Sequence, residues 1–371
     1  MKTRAAVFWG PERPFTVEEI DIAPPGPGDV VVRMAAAGIC GTDLHCVKGE
    51  WSRPTPMVLG HEGVGIVEAV GSEVEDLASG DKVVLSWAAS CGECADCGRS
   101  RPAACARLQT AIGTGTLIDG TTGMSLRGET LYRGSATGCL AEHVVVSSRA
   151  ALRTADDVPV REGALLGCAA LTGVGAALFA APVTPGSSVL VVGAGGVGQF
   201  VVQGARIGGA TTIVVVDPVE SRREQALRVG ATHAFHPDEL ESELADVAPD
   251  GVDFAFDAVG DPSTTEAALG CTRSGGTAVI VGLPPAGARL DLDPAQLTRR
   301  EKHLVGTMYG SEDPAIALPV LLEHVREGRL ELGELVGPVF ELDRVNQAIE
   351  ASLAAAAGRV IVTFDGNGTH D

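Results

Sequence analysis

Four cysteines stand close together in the sequence, at Cys91, Cys94, Cys97 and Cys105, with the spacing C-x2-C-x2-C-x7-C. Four thiolates complete the tetrahedral coordination of a zinc ion, so such a site is structural and leaves no position for a substrate. An iron–sulfur cluster is the alternative, because a ferredoxin sequence also begins C-x2-C-x2-C. There the fourth cysteine follows after three residues and precedes a proline, so the longer spacing in this chain favours zinc.

A second set of metal-ligating residue types is scattered along the chain. Cys40 lies in Gly-Ile-Cys-Gly-Thr, His61 follows 21 residues later in Gly-His-Glu-Gly, and Cys168 lies much further on. Two cysteines and one histidine that leave the fourth tetrahedral position open have the composition of a catalytic zinc site. Two buried cysteines and a surface histidine are the alternative, because distance in sequence does not show that the three meet.

A glycine-rich turn directly follows the apolar run at 188–192. The turn has the pattern GxGxxG and comprises Gly193, Gly195, Gly196, Val197 and Gly198. Between a strand and a helix, these glycines let backbone N–H groups approach a pyrophosphate, which the N-terminus of the helix also attracts. The motif therefore predicts dinucleotide binding.

An acidic residue ends the next apolar run. Asp217 stands 24 residues after Gly193, where a carboxylate accepts hydrogen bonds from both ribose hydroxyls of the cofactor. Because this carboxylate would repel a 2′-phosphate, we expect NAD rather than NADP. Arg222 and Arg223 follow closely; they could offset the repulsion, or they could be solvated charges on the next helix.

The elements that must position these residues change in character along the chain. Before about residue 160, short β-branched runs at 30–33, 65–70 and 81–85 are bounded by Gly, Pro and Asp turns, which predicts strands. Residues 111–138 are rich in Gly and Thr without a helical period, which predicts a long surface loop.

After about residue 160, apolar runs alternate with segments of helical length. This alternation predicts a doubly wound parallel sheet. We expect strands at 188–193, 212–217, 252–257 and 277–282, and helices at 161–181, 221–230 and 263–269. The final helix and strand, which end near residue 364, need not belong to that sheet.

Composition narrows the choice of partners and compartment. The 371 residues carry 48 acidic and 28 basic side chains, a net charge of −20, which disfavours nucleic acid and anionic membranes as partners. The N-terminus lacks the apolar run of a signal peptide, and no uninterrupted apolar run is long enough to span a membrane. We therefore expect a cytoplasmic protein whose nine cysteines are reduced.

Together these motifs resemble the zinc-dependent medium-chain dehydrogenase/reductase (alcohol dehydrogenase) family, and most closely its bacterial, particularly actinobacterial, members. The resemblance covers nearly the full length and includes Gly-His-Glu at 60–62, the four-cysteine segment, Cys168, the glycine turn and the terminal Arg359. It implies an α/β fold, in which a Rossmann domain is combined with a partly opened β-barrel (GroES-like) catalytic domain. The implied divisions are a catalytic domain at 1–172, an NAD-binding domain at 173–308, and a return to the catalytic domain at 309–371.

The resemblance also implies roles for individual residues. Cys40, His61 and Cys168 would bind the catalytic zinc. Around them, Asp43 would orient the ligand histidine, Glu62 would lie beside the metal, and Thr42 and His45 would carry the alcohol proton towards solvent. Further positions would contact the cofactor or line the substrate pocket, although the two tryptophans among them could instead be ordinary core residues. The cofactor positions are Val197, Thr172 and Arg359, and the pocket positions are Trp51, Trp87 and Tyr309.

The implied activity is reversible hydride transfer between NAD and a primary alcohol or aldehyde, with an aromatic, allylic or small substrate. It would use two zinc ions per chain in a homodimer or homotetramer. One alternative is a formaldehyde dehydrogenase that depends on a thiol, mycothiol or glutathione. The other is a protein that binds zinc and nucleotide without catalysis.

Overall fold

The computed structural model describes residues 1–364, which divide into two compact units. Among these residues, the first unit contains 1–168, 313–322 and 336–364, and the second contains 169–312 and 323–335. The predicted boundaries at 172 and 308 lie within four residues of this division. The segment 323–335 differs from the prediction, because it belongs with the second unit. The backbone of Glu331 explains this: it exchanges hydrogen bonds of 2.9 and 2.7 Å with the Gln203 amide.

The strands and helices are numbered in chain order. The strands are β1 Lys2–Phe8, β2 Thr16–Ile22, β3 Asp29–Gly38, β4 Met57–Val58, β5 Glu62–Val70, β6 Lys82–Leu85, β7 Met124–Leu126, β8 Glu129–Thr130, β9 Tyr132–Arg133, β10 His143–Ser147, β11 Ala151–Arg153, β12 Ser188–Val192, β13 Thr212–Val216, β14 His233–Phe235, β15 Val252–Asp257, β16 Thr272–Ile280, β17 His303–Gly306, β18 Val336–Glu341 and β19 Arg359–Thr363. The α-helices are α1 Gly41–Val47, α2 Ala106–Thr114, α3 Val160–Leu165, α4 Leu171–Gly175, α5 Gly196–Ile207, α6 Glu220–Arg228, α7 Leu240–Val247, α8 Pro262–Cys271, α9 Pro294–Arg300, α10 Pro314–Arg326 and α11 Val345–Leu353.

The first unit is built from two sheets around one apolar core. One sheet has the strand order β8-β7-β2-β1-β4-β9, and the other has the order β11-β6-β5-β3-β19-β18, with β10 also paired to β3. Their inward side chains, such as Phe8, Val32, Leu85 and Val362, form a single buried cluster. The C-terminal strand β19 pairs antiparallel with β3, which confirms that the last strand lies outside the parallel sheet.

The region 111–138 is more structured than the sequence predicted. It contains the end of α2 and the strands β7, β8 and β9, and Leu131 is fully buried. Arg133 is also fully buried, and its guanidinium donates hydrogen bonds to the backbone carbonyls of Thr122, Thr137 and Val145. These tertiary contacts order a segment whose local sequence carries no periodic signal.

The second unit contains the predicted doubly wound sheet. All its strand pairs are parallel, in the order β14-β13-β12-β15-β16-β17. Counted in their own chain order, these strands read 3-2-1-4-5-6, which is the Rossmann arrangement. Continuous runs of Val, Leu and Ile in β12 and β13 are buried, as parallel strands covered on both faces require.

One helical stretch in the described part of the chain is long and apolar enough to span a membrane. It runs over Val160–Ala180, through α3, α4 and two π-helical segments. Of its most apolar window, 78% is buried within the protein. The burial shows that these apolar side chains pack inside the fold.

Candidate active site

The three scattered metal-ligating residues come together in the first unit. Cys40 immediately precedes α1, His61 immediately precedes β5, and Cys168 lies in the π-helical segment Leu166–Ala170. All three are buried, and their ligand atoms lie within 4.8 Å of one another. Ligand atoms on one tetrahedral zinc are about 3.8 Å apart for sulfur, so the set fits a single ion with one position left open.

Asp43 connects the chain segments that carry two of these ligands. Its carboxylate, which is 2% exposed, accepts hydrogen bonds from the backbone N–H groups of Cys40 at 3.0 Å and Gly60 at 3.1 Å. The same carboxylate lies 3.4 Å from Nδ1 of His61. Because Nδ1 faces the carboxylate, Nε2 is the nitrogen that can bind a metal.

The electrostatic environment of the three residues favours a cation. A hydrogen bond from the Cys168 thiol, and then the charge of Arg359, hold the pKa of Cys40 well below its ordinary value in spite of burial. Burial lowers the pKa of His61, but the negative charges of Asp43 and Cys40 raise it to well above its ordinary value. The same negative charges would attract a metal ion.

Glu62 and Arg359 form a buried ion pair beside Cys40. Arg359 Nε lies 3.1 Å from Glu62 Oε1 and Nη2 lies 3.0 Å from Oε2, while Nη2 lies 3.8 Å from the Cys40 sulfur. Burial raises the pKa of Glu62 to about 7, although Arg359 opposes this shift. Glu62 is thus close to the metal-ligating residues. A contact of Arg359 with a cofactor pyrophosphate stays a prediction, as its guanidinium is engaged by Glu62.

The two residues predicted to carry protons lie on α1. Thr42 is half-buried in the first turn, and His45 is one turn further along. Nδ1 of His45 forms a close ion pair with Glu50, and its ring stacks on Trp51 with the centroids 4.6 Å apart and an angle of 15°. Neither Glu50 nor the stacking was anticipated, because both depend on how the loop after α1 turns back.

The remaining aromatic candidates lie in separate parts of the fold. Trp87, 8% exposed, follows β6 in the first unit. Tyr309, 3% exposed, lies in the second unit with a φ of 57°. Their participation in a substrate pocket stays a prediction.

The four clustered cysteines form a separate group in the first unit. Sulfur–sulfur distances are 3.5 Å for Cys94–Cys97, 3.5 Å for Cys91–Cys105 and 3.8 Å for Cys91–Cys97. These distances match the edges of a sulfur tetrahedron around zinc, which are about 3.8 Å long. The residues therefore fit one closed, four-thiolate site.

The glycine turn leads from β12 into α5 in the second unit. Gly193 has a φ of 90°, and a Cβ on Gly198 would lie 1.8 Å from the Gly193 carbonyl oxygen, so neither position tolerates a side chain. A Cβ on Gly195, by contrast, would meet no atom within 4 Å. The turn is therefore closed towards the protein and open at Gly195, as a backbone cradle for a phosphate requires.

Asp217 is buried at the end of β13. Its carboxylate accepts hydrogen bonds from the N–H groups of Ala194 and Val219, both at 2.8 Å, and lies 3.9 Å from Arg222. These bonds connect the acidic residue to the glycine turn.

Thr172 lies on α4, which packs closely on α5: a Cβ on Gly173 would lie 2.5 Å from the carbonyl oxygen of Val197.

Gln199, which the motif did not single out, supports the nucleotide turn. Its amide, 1% exposed, donates hydrogen bonds to the carbonyls of Ala194 at 3.0 Å and Arg222 at 2.9 Å. It thereby joins the glycine turn to the start of α6. No sequence signal identifies it, because any polar residue could follow the last glycine of the motif.

Comparisons with known proteins agree with this arrangement. Residues 26–156 match the alcohol dehydrogenase GroES-like domain, and residues 196–323 match the zinc-binding dehydrogenase family. Alcohol dehydrogenase 6 of Peromyscus maniculatus is 35% identical over 356 residues, covering 94% of both chains.

Two solved structures extend the comparison. Benzyl alcohol dehydrogenase from Acinetobacter calcoaceticus has a TM-score of 0.93 and 30% identity, covering 98% of this chain and 100% of its own. A Sinorhizobium meliloti 1021 protein solved bound to NADP has a TM-score of 0.81 and 27% identity, covering 98% and 99%. The chain therefore belongs to the zinc-dependent medium-chain dehydrogenase/reductase family and is an alcohol dehydrogenase.

Proposed function

We propose that this enzyme catalyses reversible hydride transfer between NAD and primary alcohols or aldehydes, with aromatic or allylic substrates preferred to small aliphatic ones. The observation that carries the proposal is the convergence of Cys40, His61 and Cys168 on one point with an open fourth position. The aromatic preference is supported by Trp51 next to His45 and by the likeness to a benzyl alcohol dehydrogenase.

The residues of the first unit divide the chemistry among them. A zinc ion bound by the two cysteines and the histidine would supply Lewis acidity, which makes a substrate hydroxyl easier to deprotonate. The Thr42 hydroxyl accepts the substrate proton as it releases its own, and His45, whose Nδ1 is paired with Glu50, passes the released proton towards solvent. Asp43 keeps the His61 ring oriented during turnover. A second zinc, held by the four clustered cysteines, stabilises their segment.

The preference for NAD rests on Asp217. Its carboxylate is buried and accepts hydrogen bonds from two backbone N–H groups. This negative charge would repel a 2′-phosphate, and its ion-pair partner is Arg222, 3.9 Å away. Because the Sinorhizobium protein was solved with NADP bound, NADP is the cofactor against which the use of NAD should be compared.

We also propose that the protein is cytoplasmic and forms a homodimer or homotetramer. Its assignment to the actinobacterial members of the family stays a prediction.

A substrate panel tests the proposal. Benzyl, allylic, short and long primary alcohols would each be assayed with NAD and with NADP. We expect the highest kcat/KM for benzyl or allylic alcohols with NAD. A preference for long aliphatic alcohols, or equal use of NADP, would contradict the respective part of the proposal.

Thiol-dependent formaldehyde oxidation is the second candidate, because such an enzyme needs a cation near the substrate and Arg53 lies close to Trp51. Formaldehyde would be assayed alone, with glutathione and with mycothiol. Turnover that strictly requires a thiol would replace the first candidate by the second.

A further inference from the structure

Arg53 belongs to a stack of three side chains that begins on α1, the helix that directly follows the metal-ligating Cys40. Its guanidinium carbon lies 5.6 Å from the centre of the Trp51 ring, and the Trp51 ring stacks on His45 at 4.6 Å. The stack begins five residues after Cys40, which is about 7.5 Å along a helix. Arg53 lies at the far end of the stack, with its guanidinium carbon 5.6 Å from the centre of the Trp51 ring, so an aryl substrate whose ring lies against Trp51 would bring its far substituent close to Arg53.

The charge of Arg53 is not neutralised by the protein. Within residues 1–364, no carboxylate lies at ion-pair distance from this half-buried side chain. Two exposed arginines of the first unit illustrate the alternative: Arg153 lies 2.7 Å from Asp81, and Arg107 lies 3.2 Å from Glu93.

The groups around Arg53 cannot provide the missing charge. Glu50 is engaged by His45 and lies 4.0 Å from Lys48. Burial raises the pKa of the nearby Cys46 thiol to about 11, and Arg53 opposes this only partly, so the thiol is neutral at physiological pH. The face of the Trp51 ring attracts the guanidinium but does not replace the in-plane hydrogen-bond acceptors of its N–H groups. A carboxylate offers two acceptor oxygens with the spacing that a planar guanidinium requires.

We propose that Arg53 is a specificity-determining residue that binds a carboxylate on the substrate, so that the preferred substrates are aryl primary alcohols carrying an acidic group at the end remote from the hydroxyl. This inference rests on the proposed function and narrows its substrate class. A carboxylate could come from a substituted benzyl alcohol or from the glutathione adduct of formaldehyde. The stacking of Arg53 on an indole favours the aryl compound, whose ring can lie against Trp51.

The test compares 4-(hydroxymethyl)benzoate with benzyl alcohol in the wild type, Arg53→Met and Arg53→Lys. We expect the ratio of their kcat/KM values to fall about 10- to 100-fold in Arg53→Met, the range for loss of a hydrogen bond to a charged group. Arg53→Lys keeps the charge without the planar fork and should give an intermediate ratio. High salt should reduce the wild-type ratio, because the Arg53 side chain is partly exposed.

Arg13→Met is the matched control. Arg13 also stacks on a tryptophan, with its guanidinium carbon 5.7 Å from the Trp9 ring, but lies outside α1 and the loop that follows it. This variant should keep the wild-type ratio. Circular dichroism and zinc content establish that each variant is folded.

Two further measurements distinguish a failure of this inference from a failure of the proposed function. Calorimetric binding of 4-(hydroxymethyl)benzoate needs no turnover, so Arg53 is tested even if no alcohol is oxidised and the proposed function fails. A second arm compares formaldehyde with glutathione and with neutral mercaptoethanol. An unchanged ratio and unchanged binding in Arg53→Met would overturn the inference, as would a response confined to the glutathione arm.

Discussion

Replacement of Asp43 by asparagine tests how the metal-ligating residues are held together. The carboxylate serves three partners at once: the N–H groups of Cys40 and Gly60 and Nδ1 of His61. An asparagine has one acceptor oxygen and an NH2 group, so at least one buried donor would face another donor. Leaving a buried group unsatisfied costs about 1–3 kcal/mol of unfolding free energy.

Metal affinity should fall in parallel. Loss of a carboxylate that orients a ligand histidine typically weakens metal binding about 10- to 100-fold, or about 1.4–2.8 kcal/mol. Competition with a coloured chelator, followed by counting zinc per chain, measures this. We expect one zinc to leave Asp43→Asn at chelator concentrations that leave wild type intact, while the four-cysteine site retains its own.

Asp253→Asn provides the control. That carboxylate also accepts several hydrogen bonds, from Ser188 N at 2.7 Å, Ser188 Oγ at 2.8 Å and Arg273 Nε at 2.7 Å, but it lies in the second unit. It should reduce stability without changing zinc affinity. If Asp43→Asn held two zinc ions as tightly as wild type, the orienting role derived from these contacts would be refuted.

Three other outcomes follow from the contacts described. His61→Ala should retain about one zinc per chain and lose alcohol oxidation; two zinc ions or near-normal activity would contradict the assignment of the ligands. Gln199→Leu should weaken NAD binding about 10-fold in a fluorescence titration, because the link between the Ala194 carbonyl in the glycine turn and the Arg222 carbonyl on α6 is lost. Gln225→Leu, which removes an amide bonded to the Glu334 carbonyl at 2.6 Å, should leave NAD binding unchanged. Although burial acts in the opposite direction, hydrogen bonds from Ser188 and Arg273 lower the pKa of Asp253 from 3.8. A carboxyl group whose pKa is lower in the folded than in the unfolded protein stabilises the fold at pH values above its unfolded pKa, and this stabilisation is lost as the pH falls through its folded pKa. The unfolding free energies of wild type and Asp253→Asn, measured by urea titration, should therefore differ more at pH 7 than at pH 3.

The parts of the molecule that the sequence predicted are those governed by local backbone rules. The turn at Gly193 needs a positive φ and Gly198 has no room for a Cβ, and these requirements act within six residues of one another. Buried parallel strands read as unbroken apolar runs for an equally local reason. Residue type alone suggested Cys40, His61 and Cys168 as one set of ligands, and only the family resemblance favoured their meeting in space, because nothing local relates Cys40 to Cys168.

The parts that were missed depend on tertiary contacts. Arg133 orders the region 111–138 by reaching carbonyls as far away as Val145, and the segment 323–335 joins the second unit through Gln203. The ion pair between Glu50 and His45 likewise requires the loop after α1 to fold back. Each of these polar side chains would be solvated if its partner were elsewhere, so residue type alone gives no indication of the contact.

The pairing of β19 with β3 has a consequence for synthesis of the protein. The strand carries Arg359, 191 residues after Cys168, and this arginine balances Glu62 beside Cys40. A nascent chain therefore holds Cys40, His61 and Cys168 long before it holds the cation that neutralises their surroundings. Polypeptides that stop before residue 359 lack both the strand that lies between β3 and β18 and this cation, so prematurely terminated products cannot assemble the complete active site.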